Sequence, residues 1–405
     1  MTSLWRNREF NLLWSSQSLS DLGGTVAQLA VPLLVLEVTG SAVQAGAVGT
    51  AAQVAKVVAR LPSGVLADRV NRRRTMLTCD VVRLLAFALL TVAVATRHAG
   101  LPLIIVVAVI DAACGSLFNT TEHAALRSIV PARQLPDAVA RNEARSYGTS
   151  LSGPPLGGLL FGIGPALPFL GNTLSYLASL AGVALIRKPL QADRDEPPAG
   201  SAAALAEGLR FVFTNPFLRA VVVIAAPLNF ALTGTTFTII LTLQEHGVEP
   251  GVIGLTETII GAGGLAGAFA APLLQRWLPF AQLIRSICWA ATAVLALSAL
   301  LTSTLAAAVP VALAVFLGPS CNAALFGYQA AITPDRLQGR VLSVIFLAAM
   351  SAAAAAPLLA GVFVTTWGSP ATVLLFAAAV TVAALTATLA AGIRTMRPLE
   401  GAART

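Results

Sequence analysis

Among the ionisable side chains that lie inside long apolar runs, three stand out, and each must have a chemical reason to be there. Asp21 falls in the run 11–35, Lys56 in 43–65 and Asp111 in 102–121. A charge at the centre of a membrane-spanning helix costs about 2.5–3.5 kcal/mol on insertion scales, so such residues are functional candidates by default. Ser18, Asp21, Thr25 and Gln28 recur at 3–4–3 spacing, a polar stripe on an otherwise apolar helix. At the helical rise Asp21 sits roughly 15 Å from the cytoplasmic end, near the midplane. Gln53, Lys56 and Arg60 form a similar stripe in the next run. A carboxylate shielded from water can bind and release a proton in the physiological range. Asp21 and Asp111, with Lys56 as a partner, are therefore the candidates for proton coupling. A buried ion pair that only holds helices in register is the competing reading.

The elements that must carry these residues are membrane spans. Of 405 residues 56% are hydrophobic and only 11% charged, against roughly 25% charged in soluble domains. A helix needs about 20 apolar residues to cross the hydrocarbon. Twelve runs meet that length: 11–35, 43–65, 76–95, 102–121, 144–163, 166–186, 217–243, 251–273, 281–301, 306–328, 341–366 and 370–393. The expected fold is an all-α integral membrane protein with twelve transmembrane helices. The net charge of +8 is a matter of topology, which removes the nucleic-acid reading. Twenty-one Lys and Arg fall on the termini and alternate loops, and only Arg97 on the opposite ones. Arg127, Arg133, Arg141 and Arg145 are counted in the 4–5 loop. Positive charge marks the cytoplasmic side, so both termini are expected inside, at the cytoplasmic membrane.

The one long hydrophilic stretch, 187–216, divides the chain into halves that resemble each other. Gly115, Asn119, Pro131, Arg133, Pro154 and Gly158 recur at an offset of 203 as Gly318, Asn322, Pro334, Arg336, Pro357 and Gly361. Phe10, Leu66 and Arg69 recur at an offset of 207 as Phe217, Leu273 and Arg276. The expected organisation is an N-terminal six-helix bundle (1–186), a cytoplasmic linker with a short amphipathic helix (187–216) and a C-terminal six-helix bundle (217–405). Two pseudo-symmetric bundles enclose a site near mid-membrane, and rocking one against the other exposes that site to each side in turn. Ser18, Thr25, Gln28, Gln53, Arg60, Phe118, Asn119, Asn229, Phe230 and Asn322 are the candidates for lining it. Hydrogen bonding across helices is the simpler reading for the asparagines, and core packing serves equally well for the aromatic residues. Asp80 and Arg83, at i and i+3 near the start of the third run, read as a gate or as a local helix pair.

Between the second and third runs, Gly64, Asp68, Arg69, Arg72, Arg73 and Arg74 form a charged loop opened by a glycine. Gly64 to Arg74 resembles the 2–3 loop signature of the major facilitator superfamily, and the resemblance extends over the whole chain. It implies a cytoplasmic gate in which Asp68 and the arginines change partners as the carrier cycles. Gly153-Pro154-Pro155-Leu156-Gly157-Gly158 is similar to the element associated with antiporter-type exporters. Thr39-Gly40-Ser41, Glu207-Gly208-Leu209-Arg210-Phe211 and Pro334-Asp335-Arg336-Leu337-Gln338-Gly339-Arg340 resemble the branch of siderophore and macrolide exporters. In the fourth span, Asp111 stands where drug exporters of this superfamily often have arginine. Coupling schemes built on that arginine therefore do not transfer, and carboxylates are the expected carriers of the proton.

The resulting expectation is a monomeric secondary transporter that exports an amphipathic small molecule in exchange for protons. An importer of a nutrient or lipid-derived solute is the alternative, and a non-transporting receptor on the same fold is a more distant one. No enzyme activity, cofactor or metal is expected. Gly261-Ala262-Gly263-Gly264-Leu265-Ala266-Gly267 lacks the lysine a phosphate-binding loop needs and reads as close helix packing. Cys79, Cys114, Cys288 and Cys321 read as small packing residues, and His98, His123 and His246 are far apart in sequence. The first apolar run lacks a cleavage site, so no signal peptide is expected.

Overall fold

The computed structural model describes residues 4–191, 201–277 and 279–394, with side chains described except at 5, 61, 64–69, 132, 201–205, 277, 335 and 336. The helices are α1 (Arg8–Thr39), α2 (Ala42–Arg69), α3 (Arg72–Ala95), α4 (Leu101–Ile129), α5 (Leu135–Ile163), α6 (Leu167–Leu185), α7 (Ser201–Thr214), α8 (Pro216–Glu245), α9 (Pro250–Trp277), α10 (Phe280–Ser298), α11 (Ala308–Ile332), α12 (Asp335–Leu389) and α13 (Ala391–Arg394). There is no strand among the described residues.

Nine of these helices are long and apolar enough to cross a membrane. α2 and α5 also have membrane length, at 28 and 29 residues, but carry more polar side chains. α12 has 55 residues and would be about 80 Å long if straight, far more than one span. It breaks at Gly368, whose φ of 78° and ψ of 167° are open to glycine alone, with Pro370 just beyond. Its two arms bring the membrane-length helices to twelve among the described residues. On α3, Leu85, Leu89 and Val92 are exposed on one stripe, as a lipid-facing surface requires.

Local chemistry sets the helix ends. The Asn7 side-chain oxygen accepts from the Phe10 N–H to cap α1, and its amide donates to the Ile129 carbonyl at the end of α4. Asn71 and Asn215 cap α3 and α8 in the same way, and Gly40 closes α1 at φ 64°.

The chain divides into two compact units. One comprises Met1–Pro198 with Gly247–Thr258, around a core that includes Phe10, Leu13, Met76, Leu126, Ile129 and Val183. The other comprises Ala199–His246 with Ile259–Thr405, around Leu218, Val221, Ile284, Leu325 and Val341. In the second unit Gly263 and Gly267 leave no room for a Cβ against the Ala312 and Phe316 carbonyls, which is the close approach of α9 to α11. There too the linker helix α7 docks on α12. Glu207 pairs with Arg340, and Gly208 lies against the Arg340 backbone.

α4 continues eight residues beyond the apolar run and α5 begins nine residues before the next one. Glu122, Arg141 and Arg145 are therefore helical residues rather than loop residues. Counting Arg127, Arg141 and Arg145 in the 4–5 loop is thus incorrect: apolarity marks where lipid ends, these two helices run on past it, and Arg145 lies inside the fifth run itself.

Candidate functional site

Within the first unit, α1, α3, α4, α5 and α6 bring four carboxylates and two arginines into the bundle interior. Asp21 on α1 and Glu122 on α4 share one guanidinium, that of Arg145 on α5. Arg145 Nε lies 2.8 Å from Asp21 Oδ2, and Nη1 lies 2.9 Å from Glu122 Oε1. Glu122 Oε1 and the two arginine nitrogens are off-axis for hydrogen bonding, so the attraction is coulombic rather than directional. The members differ in exposure: the Glu122 side chain is 3% exposed, Arg145 7% and Asp21 37%. Glu122 and Arg145 are shut in, whereas Asp21 borders open space. One cation between two anions leaves an excess negative charge that a single proton would neutralise.

A second group is built on Asp111. Arg83 Nε donates to its Oδ1 at 2.8 Å, and the Tyr176 hydroxyl donates to the same oxygen at 2.6 Å. The Arg83 guanidinium lies 4.2 Å from the centroid of the Tyr176 ring, and Asn172 Nδ2 donates to the Tyr176 hydroxyl at 3.4 Å. Gly115, one turn beyond Asp111, lies beside the Arg83 guanidinium. The positive charge absent from the fourth span is thus supplied from the third.

The third group is a relay. Gln17 Nε2 donates to Ser179 Oγ at 2.8 Å, and Ser179 donates to Asp80 Oδ2 at 2.6 Å. Asp80 is fully buried, and its Oδ1 has no hydrogen-bond partner. Asp80 and Arg83 therefore serve different partners, and the local i,i+3 pair is not formed. Lys56 makes no ion pair among the described residues. It lies within electrostatic range of Arg60 and Asp111, while both carboxylates proposed as its partners are held by arginines.

The motif in α5 meets α1 and the first turns of α9. A Cβ on Gly153 would collide with the Thr25 side chain, one on Gly157 with the Val26 carbonyl and one on Gly158 with the Pro250 carbonyl. Gly254 reciprocates against the Pro154 carbonyl. Pro155 has no N–H, so the Leu151 carbonyl one turn earlier loses its helical donor. Thr258 Oγ1 supplies a replacement at 2.9 Å. Thr25 Oγ1 likewise reaches the Thr149 carbonyl at 3.1 Å.

The remaining candidates are scattered. Gln28, Arg60, Asn119 and Asn322 are exposed, and Gln53 is half-buried. Ser18 bonds the Trp14 carbonyl and Asn229 the Ala225 carbonyl, both on their own helices. Phe118 is buried in the core of the first unit, and Phe230 packs edge-on against Phe376. In the charged loop, Gly64, Asp68 and Arg69 lie outside the described side chains. Arg72 is buried, and its Nη1 donates to the Ala124 and Leu190 carbonyls and to Ser128 Oγ. Arg73 donates to the Ala184 carbonyl. The Arg74 N–H donates to the Asn71 side chain. In this conformation Arg72 and Arg73 hold the carbonyl ends of their own bundle.

Residues 13–357 match the family described as Major Facilitator Superfamily. The chain belongs to that superfamily. It is similar to the multidrug efflux pump Tap of Mycolicibacterium fortuitum, 25% identical over 353 residues that cover 84% of this chain and 85% of the pump. Among solved structures it resembles a bacterial homologue of the human lysosomal transporter Spinster in an inward-facing, unoccupied conformation. That structure has a TM-score of 0.77 at 15% identity and covers 96% of this chain and 98% of its own. A bacterial homologue of the iron transporter ferroportin in an inward-facing state follows, with a TM-score of 0.69 at 16% identity over 96% and 99% of the chains. At these identities the two structures speak to fold alone. Superfamily membership makes this chain a multi-pass membrane transporter of small molecules and not an enzyme. Arg145 is the functional candidate that sequence reasoning passed over, because its place at the edge of the fifth apolar run reads as part of the 4–5 loop.

Proposed function

We propose that this transporter exports an amphipathic small molecule from the cytoplasm in exchange for protons, working as a monomer. The observation that carries the reading is the Asp21–Arg145–Glu122 group, two acids on one arginine with only Asp21 next to open space. A proton arriving on Asp21 releases Arg145 wholly to Glu122, loosening the tie between α1 and α5. Losing that proton restores it. Asp21 thus links proton occupancy to the packing of α1 on α5, the contact that Gly153 and Gly157 make close. Asp111, with two donors already on one oxygen, is the more tightly held of the two coupling candidates.

Export as the direction is supported by the similarity to an efflux pump and by the engagement of the α5 motif with α1 and α9. In this reading residues 1–186 and 217–405 are the rocking bundles joined by the linker 187–216. Both termini are cytoplasmic, and Asp68 with its arginines forms the cytoplasmic gate. Expression in a host stripped of its own drug pumps provides the test. Lower retention of an amphipathic dye and raised resistance are expected, and both should vanish in Asp21→Asn. Energy-dependent accumulation of solute in the same cells, without efflux, would replace export with import.

A further inference from the structure

The four cysteines read along the chain as separate small packing residues, but in the fold they meet in pairs. Cys79 on α3 and Cys114 on α4 bring their thiols close enough for one to donate to the other. Cys288 on α10 and Cys321 on α11 do the same in the second unit. The pairs hold corresponding places in the two halves, at offsets of 209 and 207, and all four are free thiols.

The surroundings of the two pairs differ. Cys288 and Cys321 are both buried in an apolar core with Ile284, Ile287 and Leu325. In the first unit Cys79 is buried in the core that includes Met76 and Phe118, and Cys114 packs against that core half-buried. A small uncharged oxidant can therefore reach Cys114 from lipid or water, whereas Cys79 stands behind it. The Arg83 guanidinium lies within electrostatic range of both sulfurs, and a neighbouring positive charge is a mark of reactive cysteines. An accessible thiol with a second one at its back has the arrangement of an attacking and a resolving cysteine.

We propose that Cys79 and Cys114 form a site of reversible oxidation, which hydrogen peroxide closes to an α3–α4 disulfide. The Cys114 sulfur attacks one peroxide oxygen and the O–O bond breaks. The departing hydroxide takes the thiol proton as water and leaves a sulfenic acid on Cys114. The Cys79 sulfur then attacks that sulfur, and the sulfenic hydroxyl leaves with the Cys79 proton as a second water. The two thiols lose two electrons, and the peroxide is reduced to two waters. Closure by Cys79 stops the oxidation before the irreversible sulfinic acid. The site is independent of the cargo and of the direction of transport.

The test treats the purified full chain in detergent with hydrogen peroxide, alkylates the remaining thiols in denaturant and maps the peptides by mass spectrometry, with and without dithiothreitol. In the parent, Cys79 and Cys114 should lose alkylation together, appear in one disulfide-linked peptide pair and recover after reduction. Cys288 and Cys321 should stay alkylated throughout. In Cys79→Ser the resolving thiol is gone, and Cys114 should pass to the sulfinic acid, which dithiothreitol does not reverse. The inference is overturned if Cys114 of the parent remains alkylated after peroxide, or if it ends as sulfinic acid rather than disulfide. Closure of Cys288 with Cys321 as readily as the first pair would overturn it too, as would a Cys114 in Cys79→Ser that recovers fully on reduction. The products of the parent decide the matter even if the variant does not fold.

Discussion

Replacing Arg145 by Gln removes the cation that pairs with both Asp21 and Glu122, and the structure fixes how unequal the consequences must be. The Glu122 side chain is 3% exposed and Asp21 37%. Removing one partner of a buried ion pair costs about 3–5 kcal/mol because the other charge is left uncompensated. An exposed pair is worth about 0–1 kcal/mol, so nearly all the loss falls on Glu122. Arg145→Gln should therefore lose about 3–5 kcal/mol, a fall in Tm of roughly 10 °C for a unit of some 200 residues. Glu122→Gln leaves Arg145 paired with Asp21 and should cost less, about 1–2 kcal/mol. Asp21→Asn leaves the buried Glu122 pair intact and should cost less than about 1 kcal/mol. The double variant E122Q/R145Q removes the stranded charge and should recover at least about 1 kcal/mol relative to the sum of the singles. Thermal unfolding of the purified variants in one detergent at one pH gives all four values. Equal Tm values for Arg145→Gln and Asp21→Asn, or strict additivity in the double variant, would refute the burial argument.

Three further outcomes follow from the same geometry. Ser179→Ala takes from the buried Asp80 its hydrogen-bond donor and should lower stability by about 1–3 kcal/mol, measured by the same unfolding assay. Gly158→Ala and Gly254→Ala each drive a Cβ into a backbone carbonyl across the α5–α9 contact, whereas Gly162→Ala meets only the Pro250 ring at 3.9 Å. The first two should abolish dye efflux at normal membrane expression and the third should leave it unchanged. Arg340→Gln removes a half-exposed pair with Glu207 and should shift stability by less than about 1 kcal/mol, read as a Tm within a few degrees of the parent.

The fold was legible because its physics is coarse. Apolar length marks each span, and Gly368 with Pro370 marks a junction where two spans run on without a long polar loop. The duplicated glycines and prolines showed two related halves. The site was legible only in part. Polar residues on apolar helices announced Asp21 and Asp111, because their cost is a property of the sequence around them. Their partners did not announce themselves. Arg83 meets Asp111 from another helix, and Arg145 stands at the very edge of the fifth apolar run, so pairing across helices could not be read from spacing along one of them. The Asp80–Ser179–Gln17 relay joins three helices by two hydrogen bonds, and neither serine nor glutamine in an apolar run signals its partner. The motif glycines were visible as small residues. What they make room for, a carbonyl freed by Pro155 and capped by Thr258, emerged only when α5 and the start of α9 were placed together.

The central claim, that proton occupancy of the first bundle drives export, is tested most directly by dye movement in acid-interior proteoliposomes. The account predicts that the parent protein accumulates an amphipathic dye in the lumen, that a protonophore abolishes the accumulation, and that Asp21→Asn loses it while remaining folded. Accumulation that persists after the gradient is collapsed, or that Asp21→Asn carries out as well as the parent, would contradict it.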